Sequence, residues 1–154
     1  MKVRDFMIYD VIHVKKDDSV RSLLRKLAQF KIGGVPVVDD NQNLVGMVSD
    51  GDVLRAFDPK EQTIFDFYTM VFILNKREVR ETVREVIDNT VGQIMTKRKL
   101  FYVHPDDEFE QVLKILSRHH FKKIPVINHA GRVVGVISRG DVIRFITQQM
   151  TEGD

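Results

Sequence analysis

The chain has 154 residues, which is enough for one ordinary domain or two very small domains with a shared core, and too few for a multidomain enzyme. Hydrophobic residues make up 43% and charged residues 30%, a balance typical of a folded globular protein and not of a disordered or membrane-spanning one. The formal net charge of +2 does not indicate nucleic-acid binding, and the absence of cysteine excludes disulfides and thiolate chemistry and fits a reducing compartment.

The first residues carry no targeting signal, because charged side chains interrupt their apolar runs. The longest apolar stretch covers residues 64–74, contains Asp66, and is shorter than the about 20 residues that a membrane-spanning helix needs. The sequence therefore predicts a cytoplasmic protein without a membrane segment.

The sequence contains an internal duplication. A shift of 89 positions aligns residues 14–18 with 103–107 and residues 44–55 with 133–144, without a gap between them. The second of these matches reads Leu-Val-Gly-Met-Val-Ser-Asp-Gly-Asp-Val-Leu-Arg in the first copy and Val-Val-Gly-Val-Ile-Ser-Arg-Gly-Asp-Val-Ile-Arg in the second. Such agreement indicates two copies of one structural unit.

The first copy predicts a strand, a helix, two strands and a helix. The β-branched run 11–14 suits a short strand, and apolar residues at i, i+3, i+4 and i+7 from Val20 form one face of a helix. Two apolar runs, 35–38 and 44–49, flank a turn-rich segment and predict a hairpin. A closing helix is predicted over residues 51–57.

The segment between the copies is too long and too apolar for a passive linker, and its stripes predict two helices. These helices either fold back on their own chain or reach a second subunit through Phe65, Tyr68 and Phe72, which would make the protein a homodimer. The predicted organisation is a first repeat over residues 1–58, a helical insertion over 59–90 and a second repeat over 91–150.

The second copy repeats the pattern of the first. Residues 101–103 predict the strand, the spacing from Phe109 predicts the helix, and runs 124–127 and 133–138 predict the hairpin. A closing helix runs from about residue 140 towards residue 149. One such unit has too little sheet to bury both faces, so two units are expected to pack into one pseudo-symmetric body of the α/β or α+β class.

Common catalytic and nucleotide-binding motifs are missing, including the P-loop, the dinucleotide Gly-rich loop, Gly-x-Ser-x-Gly and His-Glu-x-x-His. The five histidines show no metal-ligand spacing, so no metal site is expected; they are His13, His104, His119, His120 and His129. The sequence therefore does not predict an enzyme.

A recurring tetrapeptide, Ser49-Asp50-Gly51-Asp52, returns as a second copy that ends at Asp141. A Ser with an Asp three residues later is typical of a capping box, which satisfies backbone N–H groups at the start of a helix. A helix amino terminus next to a carboxylate also suits a phosphate and a ribose diol. Residue spacing leaves both interpretations open.

The order of elements, the Val-Pro-Val and Ile-Pro-Val strands, and the repeated Ser-x-Gly-Asp-Val resemble a tandem pair of cystathionine-β-synthase (CBS) domains. The resemblance covers both copies and omits the insertion. It implies that Asp52 and Asp141 hold ribose hydroxyls in clefts between the two domains, and it implies further contacts to the rest of an adenine nucleotide. The phosphate contacts expected are Ser49, Ser138, Lys122, Lys123 and Arg139, and the adenine contacts expected are Ile12, Gly34, Val35, Pro36, Ile124 and Pro125.

The two copies differ just before the Pro-Val strand, where Gly33 and Gly34 in the first align with Lys122 and Lys123 in the second. In the head-to-tail packing that the resemblance implies, the cleft of Asp52 receives both lysines and the cleft of Asp141 faces the glycines. The basic run 97–99 is interpreted as a solvated loop, because no aromatic residues interleave with it as in nucleic-acid-binding segments.

The function implied is a non-catalytic sensor that binds AMP, ADP or ATP and passes its state to an effector protein. One alternative is another adenosyl ligand such as S-adenosylmethionine, whose cationic sulfonium would be disfavoured beside a lysine pair. Another alternative is a ligand-free scaffold for protein interaction, in which the Ser-x-Gly-Asp motifs serve only as helix caps.

Overall fold

The architecture is given by a computed structural model, which describes residues 1–58, 76–96, 99–119 and 121–153. The three aromatic residues expected at a subunit contact lie outside the described residues, and so do Lys97, Arg98 and His120. Among the described residues, none of the helices has the length and hydropathy that crossing a bilayer requires.

Helices and short strands alternate along the chain, and a 3-10 turn (Val3–Asp5) precedes them. The first repeat holds β1 (Val14–Lys15), α1 (Val20–Phe30), β2 (Gly34–Val38), β3 (Leu44–Ser49) and α2 (Asp50–Phe57). Then follow α3 (Lys76–Ile87), α4 (Val91–Ile94), α5 (Phe109–Arg118), β4 (Lys123–Ile127), β5 (Val133–Ser138) and α6 (Arg139–Thr151). The mixed α/β class, the two repeats and the second of the two helices predicted between them are confirmed; the first of these helices falls on residues 61–74, outside the described residues.

The hairpins of the two repeats have the same register. Gly34 pairs with Ser49 across β2 and β3, and Lys123 pairs with Ser138 across β4 and β5, as the shift of 89 requires. β1 adds a parallel strand to the first hairpin only. The prediction of a strand at 101–103 is therefore wrong in extent, since only Val103 forms a parallel bridge there.

The turns of the two hairpins pair with each other. The backbone N–H of Leu44 donates to the carbonyl oxygen of Gly131 at 3.3 Å, and that of Val133 donates to Gln42 at 3.0 Å. Because each donor and each acceptor has its counterpart at the same place in the other repeat, these two bonds are reciprocal. The pseudo-twofold axis between the repeats therefore passes between the turns.

Each repeat also contributes its leading segment to the core of the other repeat. Val3 and Met7 lie at the start of the first repeat but are buried with Ile137 of the second. Val91 lies at the start of the second repeat but is buried with Leu23 of the first. The strand that was predicted over residues 11–14 begins only at Val14. The residues before it cross over from the core of the second repeat.

Antiparallel bridges hold both crossing segments in place. Ile8 exchanges two backbone hydrogen bonds with Val136 of β5, at 2.9 and 3.0 Å. In the pseudo-equivalent place, the Thr96 N–H donates to the carbonyl oxygen of Met47 in β3 at 3.0 Å. The second bridge brings the Thr96 side chain to the junction between β3 and α2.

We expect Val3→Ala to lower the free energy of unfolding by about 2 kcal/mol, because it leaves a cavity in the core of the second repeat. Asp10→Ala changes an exposed residue near the same segment and is expected to alter stability by less than about 0.5 kcal/mol. Urea unfolding followed by circular dichroism measures both variants. Equal small effects would show that the leading segment does not support this core.

Candidate functional site

A cleft of about 570 Å³ opens between the two repeats. Its walls are the beginning of β2, the junction of β3 with α2, the segment that leads into the second repeat, and the loop before β4. This lining is strongly basic, with two acidic side chains, Asp50 and Asp52, against five basic ones, Lys31, Arg55, Lys99, Lys122 and Lys123.

The hairpin geometry brings the start of β2 to the start of α2. The Asp50 N–H donates to the carbonyl oxygen of Gly33 at 2.8 Å, which ties the first turn of α2 to the loop before β2. A Cβ atom at Gly34 would lie only 3.3 Å from the carbonyl oxygen of Val48. Glycine therefore lets the backbone form this wall of the cleft at close range.

Asp52 is the buried carboxylate of the cleft, with 9% of its side chain exposed. Its Oδ2 accepts hydrogen bonds from the backbone N–H and the hydroxyl of Ser49, at 2.9 and 3.2 Å. Its Oδ1 accepts from Arg55 at 2.7 Å, and the Thr96 hydroxyl lies 3.1 and 3.2 Å from the two oxygens. The capping box of α2 is thus formed and is joined by a residue from the other crossing segment.

The second copy of the motif forms the same capping box. Asp141 Oδ2 accepts from the backbone N–H and the hydroxyl of Ser138, at 2.7 and 2.8 Å, and Asp141 also pairs with Arg144. Asp141 does not line the described cleft, although Ser138 does. Gly33 and Gly34 line the described cleft together with Asp52, and the expectation that they also face Asp141 stays a prediction.

The lysines of the cleft differ in their partners. Lys31, Lys99 and Lys122 are exposed and form no ion pair with any described residue; Lys99 lies 5.6 Å from the centre of the Phe101 ring. Lys123 is partly buried, and its Nζ donates to the carbonyl oxygen of Gly34 at 3.1 Å. Burial lowers the pKa of Lys123 below the ordinary 10.5, although the charge of Asp141 opposes that change.

Several predicted contacts lie outside this cleft. Val35 and Pro36 are buried within β2, Ile124 and Pro125 are buried within β4, and Ile12 packs against the first core. These side chains are packed in the cores of the repeats and do not line this cleft. A direct contact between them and adenine therefore stays a prediction.

The Arg139 side chain is hydrogen-bonded to backbone carbonyl groups of the protein. Its Nε donates to the carbonyl oxygen of Phe121 at 2.9 Å, and its guanidinium also donates to the backbone carbonyl oxygen of His119 at 3.0 Å. These bonds satisfy carbonyl groups in the segment after α5. Arg139 is therefore not free to meet a phosphate in the described cleft, and its phosphate role stays a prediction.

Many of the cleft residues were not predicted from the sequence, among them Lys31, Ile32, Arg55, Thr96, Lys99, Phe101 and Phe121. One signal was present, because Phe101 is the counterpart of Ile12 under the shift of 89. The rings of Phe101 and Phe121 lie 5.0 Å apart and give the cleft an aromatic wall. Lys99 belongs to the run that was interpreted as a solvated loop; it is exposed and also lines this cleft.

Within the described ranges, no group of three or more His, Cys, Asp or Glu side chains is arranged to hold a metal ion. The described histidines have other contacts: His104 Nδ1 lies 2.8 Å from the carbonyl oxygen of Ile127, and the His119 ring packs 4.4 Å from that of Phe101.

A family model for the CBS domain matches residues 3–59 and 91–148. The chain therefore belongs to the CBS domain family, with two copies of the domain in tandem. The resemblance noted in the sequence is confirmed.

Individual relatives agree with this assignment. The chain is 31% identical over 139 residues to the chloroplastic CBS domain-containing protein CBSX2 of Arabidopsis thaliana; the match covers 88% of this chain and 58% of CBSX2. It is 24% identical over 155 residues to the uncharacterized protein MJ1426 of Methanocaldococcus jannaschii, covering 95% and 91% of the two chains. A crystal structure of CBSX2 in complex with AMP superposes with a TM-score of 0.73 at 30% identity, over 97% of this chain and 98% of that chain.

We expect Lys123 to make stability depend on alkaline pH. Because its pKa is lower in the folded chain than in the unfolded chain, the unfolded chain binds more protons as the pH nears 10.5, and stability there rises with pH. Lys123→Met is expected to lose this rise, and Lys122→Met, at an exposed neighbour, to keep it. Urea unfolding at a series of pH values gives the comparison; parallel pH curves for the two variants would contradict the assignment.

Proposed function

We propose that the chain is a non-catalytic regulatory module that binds an adenine nucleotide, AMP, ADP or ATP, in the cleft between its CBS domains. One observation carries the proposal: a buried carboxylate, Asp52, shares one cleft with the amines of Lys31, Lys99 and Lys122, which form no ion pair with a described residue. Its volume of about 570 Å³ lies within the usual range of small-molecule sites.

The ribose is assigned to Asp52. An ionised carboxylate accepts hydrogen bonds and donates none, which suits the two hydroxyls of a ribose diol. The Ser49 contacts fix the carboxylate at the first turn of α2, so it would meet the sugar in one orientation. Adenine is assigned to the apolar part of the lining, which Ile32, Phe101 and Phe121 supply beside the Gly34 backbone.

The phosphates are assigned to the basic part of the lining. Lys31, Lys99 and Lys122 have no described carboxylate partner, so an anion would not need to displace one. The amino terminus of α2, with Ser49 as its N-cap, adds a favourable dipole. The same charge disfavours S-adenosylmethionine, whose sulfonium is a cation.

The relative CBSX2, described above in complex with AMP, supports the proposal, because its fold covers nearly the whole of this chain at 30% identity. A second site at Asp141 and Ser138, in the pseudo-equivalent place, is also proposed. Ile8 stands there where Thr96 stands beside Asp52, so the two sites would differ in the donors around the carboxylate.

Calorimetry with adenosine, AMP, ADP and ATP tests this function. We expect micromolar binding, with affinity that rises as phosphates are added and falls as salt is raised. Asp52→Asn keeps the size of the side chain but is expected to weaken nucleotide binding by about tenfold or more, because hydrogen bonds to a charged acceptor are lost. A 2′-deoxynucleotide should bind the unaltered protein less well for the same reason.

Asp141→Asn makes the same change in the capping box of the proposed second site, so it is expected to remove a separate share of the binding heat and to leave binding at the Asp52 cleft unchanged. Thermal unfolding of both variants separates a loss of folding from a loss of binding. The absence of heat and of thermal stabilisation with every adenosine compound at millimolar concentration would reject the proposed function.

A homodimer that reports the ligand to an effector protein completes the proposal. Its surface is assigned to the exposed apolar residues of α2 and α6, namely Leu54 (68% exposed), Ile143 (63%) and Met150 (68%). Leu54 and Ile143 occupy the same position in the two repeats, so this surface extends over both.

Light scattering is expected to give twice the mass of one chain at micromolar concentration. Ile143→Glu, which adds a charge to this surface, is expected to yield monomers that still bind nucleotide. Ile146→Glu, one turn away and 38% exposed, is a companion variant on the same helix. A wild-type protein that scatters as a monomer would contradict the homodimer and leave the nucleotide site in place.

A further inference from the structure

The hydrogen-bond acceptor sites of the Asp52 carboxylate are already occupied by donors from the protein. Ser49 supplies two of them, Arg55 supplies a third to Oδ1 at 2.7 Å, and the Thr96 hydroxyl is the fourth. A carboxylate offers about four lone-pair sites. A ribose diol therefore cannot bind Asp52 until one of these donors leaves.

Arg55 is the donor that can leave. Ser49 is fixed as the N-cap of α2, and Thr96 is held by its backbone bond to Met47. The Arg55 side chain is 57% exposed and has no other hydrogen bond or ion pair with a described residue. Its guanidinium lies over the first turn of α2, where a Cβ atom at Gly51 would be 3.1 Å away.

We propose that Arg55 covers Asp52 and exchanges this carboxylate for the ligand's phosphate when a nucleotide enters the cleft. The inference rests on the proposed function, because it concerns the same cleft. One ribose hydroxyl takes the place of the guanidinium at Oδ1, and the released guanidinium pairs with phosphate, for which its planar fork is well suited. Arg55 is thus a specificity-determining residue that links recognition of the sugar to recognition of the phosphate.

The exchange has opposite consequences for two ligands. Adenosine must break the ion pair between Arg55 and Asp52 and offers no anion in return. AMP breaks the same pair and replaces the carboxylate with its phosphate. Removal of the guanidinium therefore helps adenosine and harms AMP, which a purely structural role for Arg55 does not predict.

The test is calorimetry of Arg55→Met with adenosine and AMP. Adenosine is expected to bind about two- to fivefold more tightly, the factor that corresponds to loss of a solvent-exposed ion pair. The ratio of AMP affinity to adenosine affinity is expected to fall by about tenfold, because one charge-assisted bond to phosphate is lost.

The matched control is Arg144→Met, because Arg144 forms the equivalent pair with Asp141 and does not line this cleft. Binding at the Asp52 cleft, defined as the heat that Asp52→Asn removes, is expected to be unchanged in this control. Thermal unfolding of both arginine variants compares their stability without ligand.

Three further outcomes separate the exchange at Arg55 from the proposed function. If the wild-type protein binds AMP but Arg55→Met weakens adenosine and AMP by the same factor, the exchange is overturned and the nucleotide site stands. If Thr96→Val tightens adenosine binding and Arg55→Met does not, the hydroxyl is the displaced donor and the proposal is wrong. Failure of the wild-type protein to bind either ligand overturns the proposed function together with this inference.

Discussion

The structure depends on the exchange of leading segments between two small repeats. A hairpin with two helices cannot bury both of its faces, and in this chain Val3 and Val91 each complete the core of the repeat to which they do not belong. The same crossing carries Thr96 from the second leading segment to the carboxylate at the start of α2. Core packing and the cleft therefore have one cause, and neither repeat could build the site alone.

The capping box and the candidate ligand site use the same atoms. Asp52 accepts hydrogen bonds from the backbone N–H and the hydroxyl of Ser49 and is buried at the wall of the cleft, so one carboxylate caps the helix and faces the space where a ligand would lie. The two interpretations of the Ser-x-Gly-Asp motif are thus compatible. The Asp141 copy shows how the motif persists as a cap away from the described cleft.

Much of the fold could be predicted from the sequence, because hydrophobic spacing and the ungapped duplication are local signals; the matching registers of Gly34 and Lys123 followed from them. The candidate site was harder to predict from the sequence. Asp52 and the two lysines were predicted to share a cleft, and they do. Lys99 and Arg55 were not predicted, because their place in the cleft depends on packing between segments far apart in the chain. The bonds of Arg139 to the end of α5 have the same origin.

The contact between Lys123 and Gly34 joins two residues that hold the same position in the two halves of the chain. A position that meets its own counterpart near a twofold axis cannot carry lysine in both halves, because two ammonium groups would then face each other in a partly desolvated place. Glycine in both halves would leave the carbonyl oxygen without this donor. Divergence at this one position thus makes the two halves unequal and adds one basic side chain, Lys123, to the wall of the Asp52 cleft without any change in the architecture.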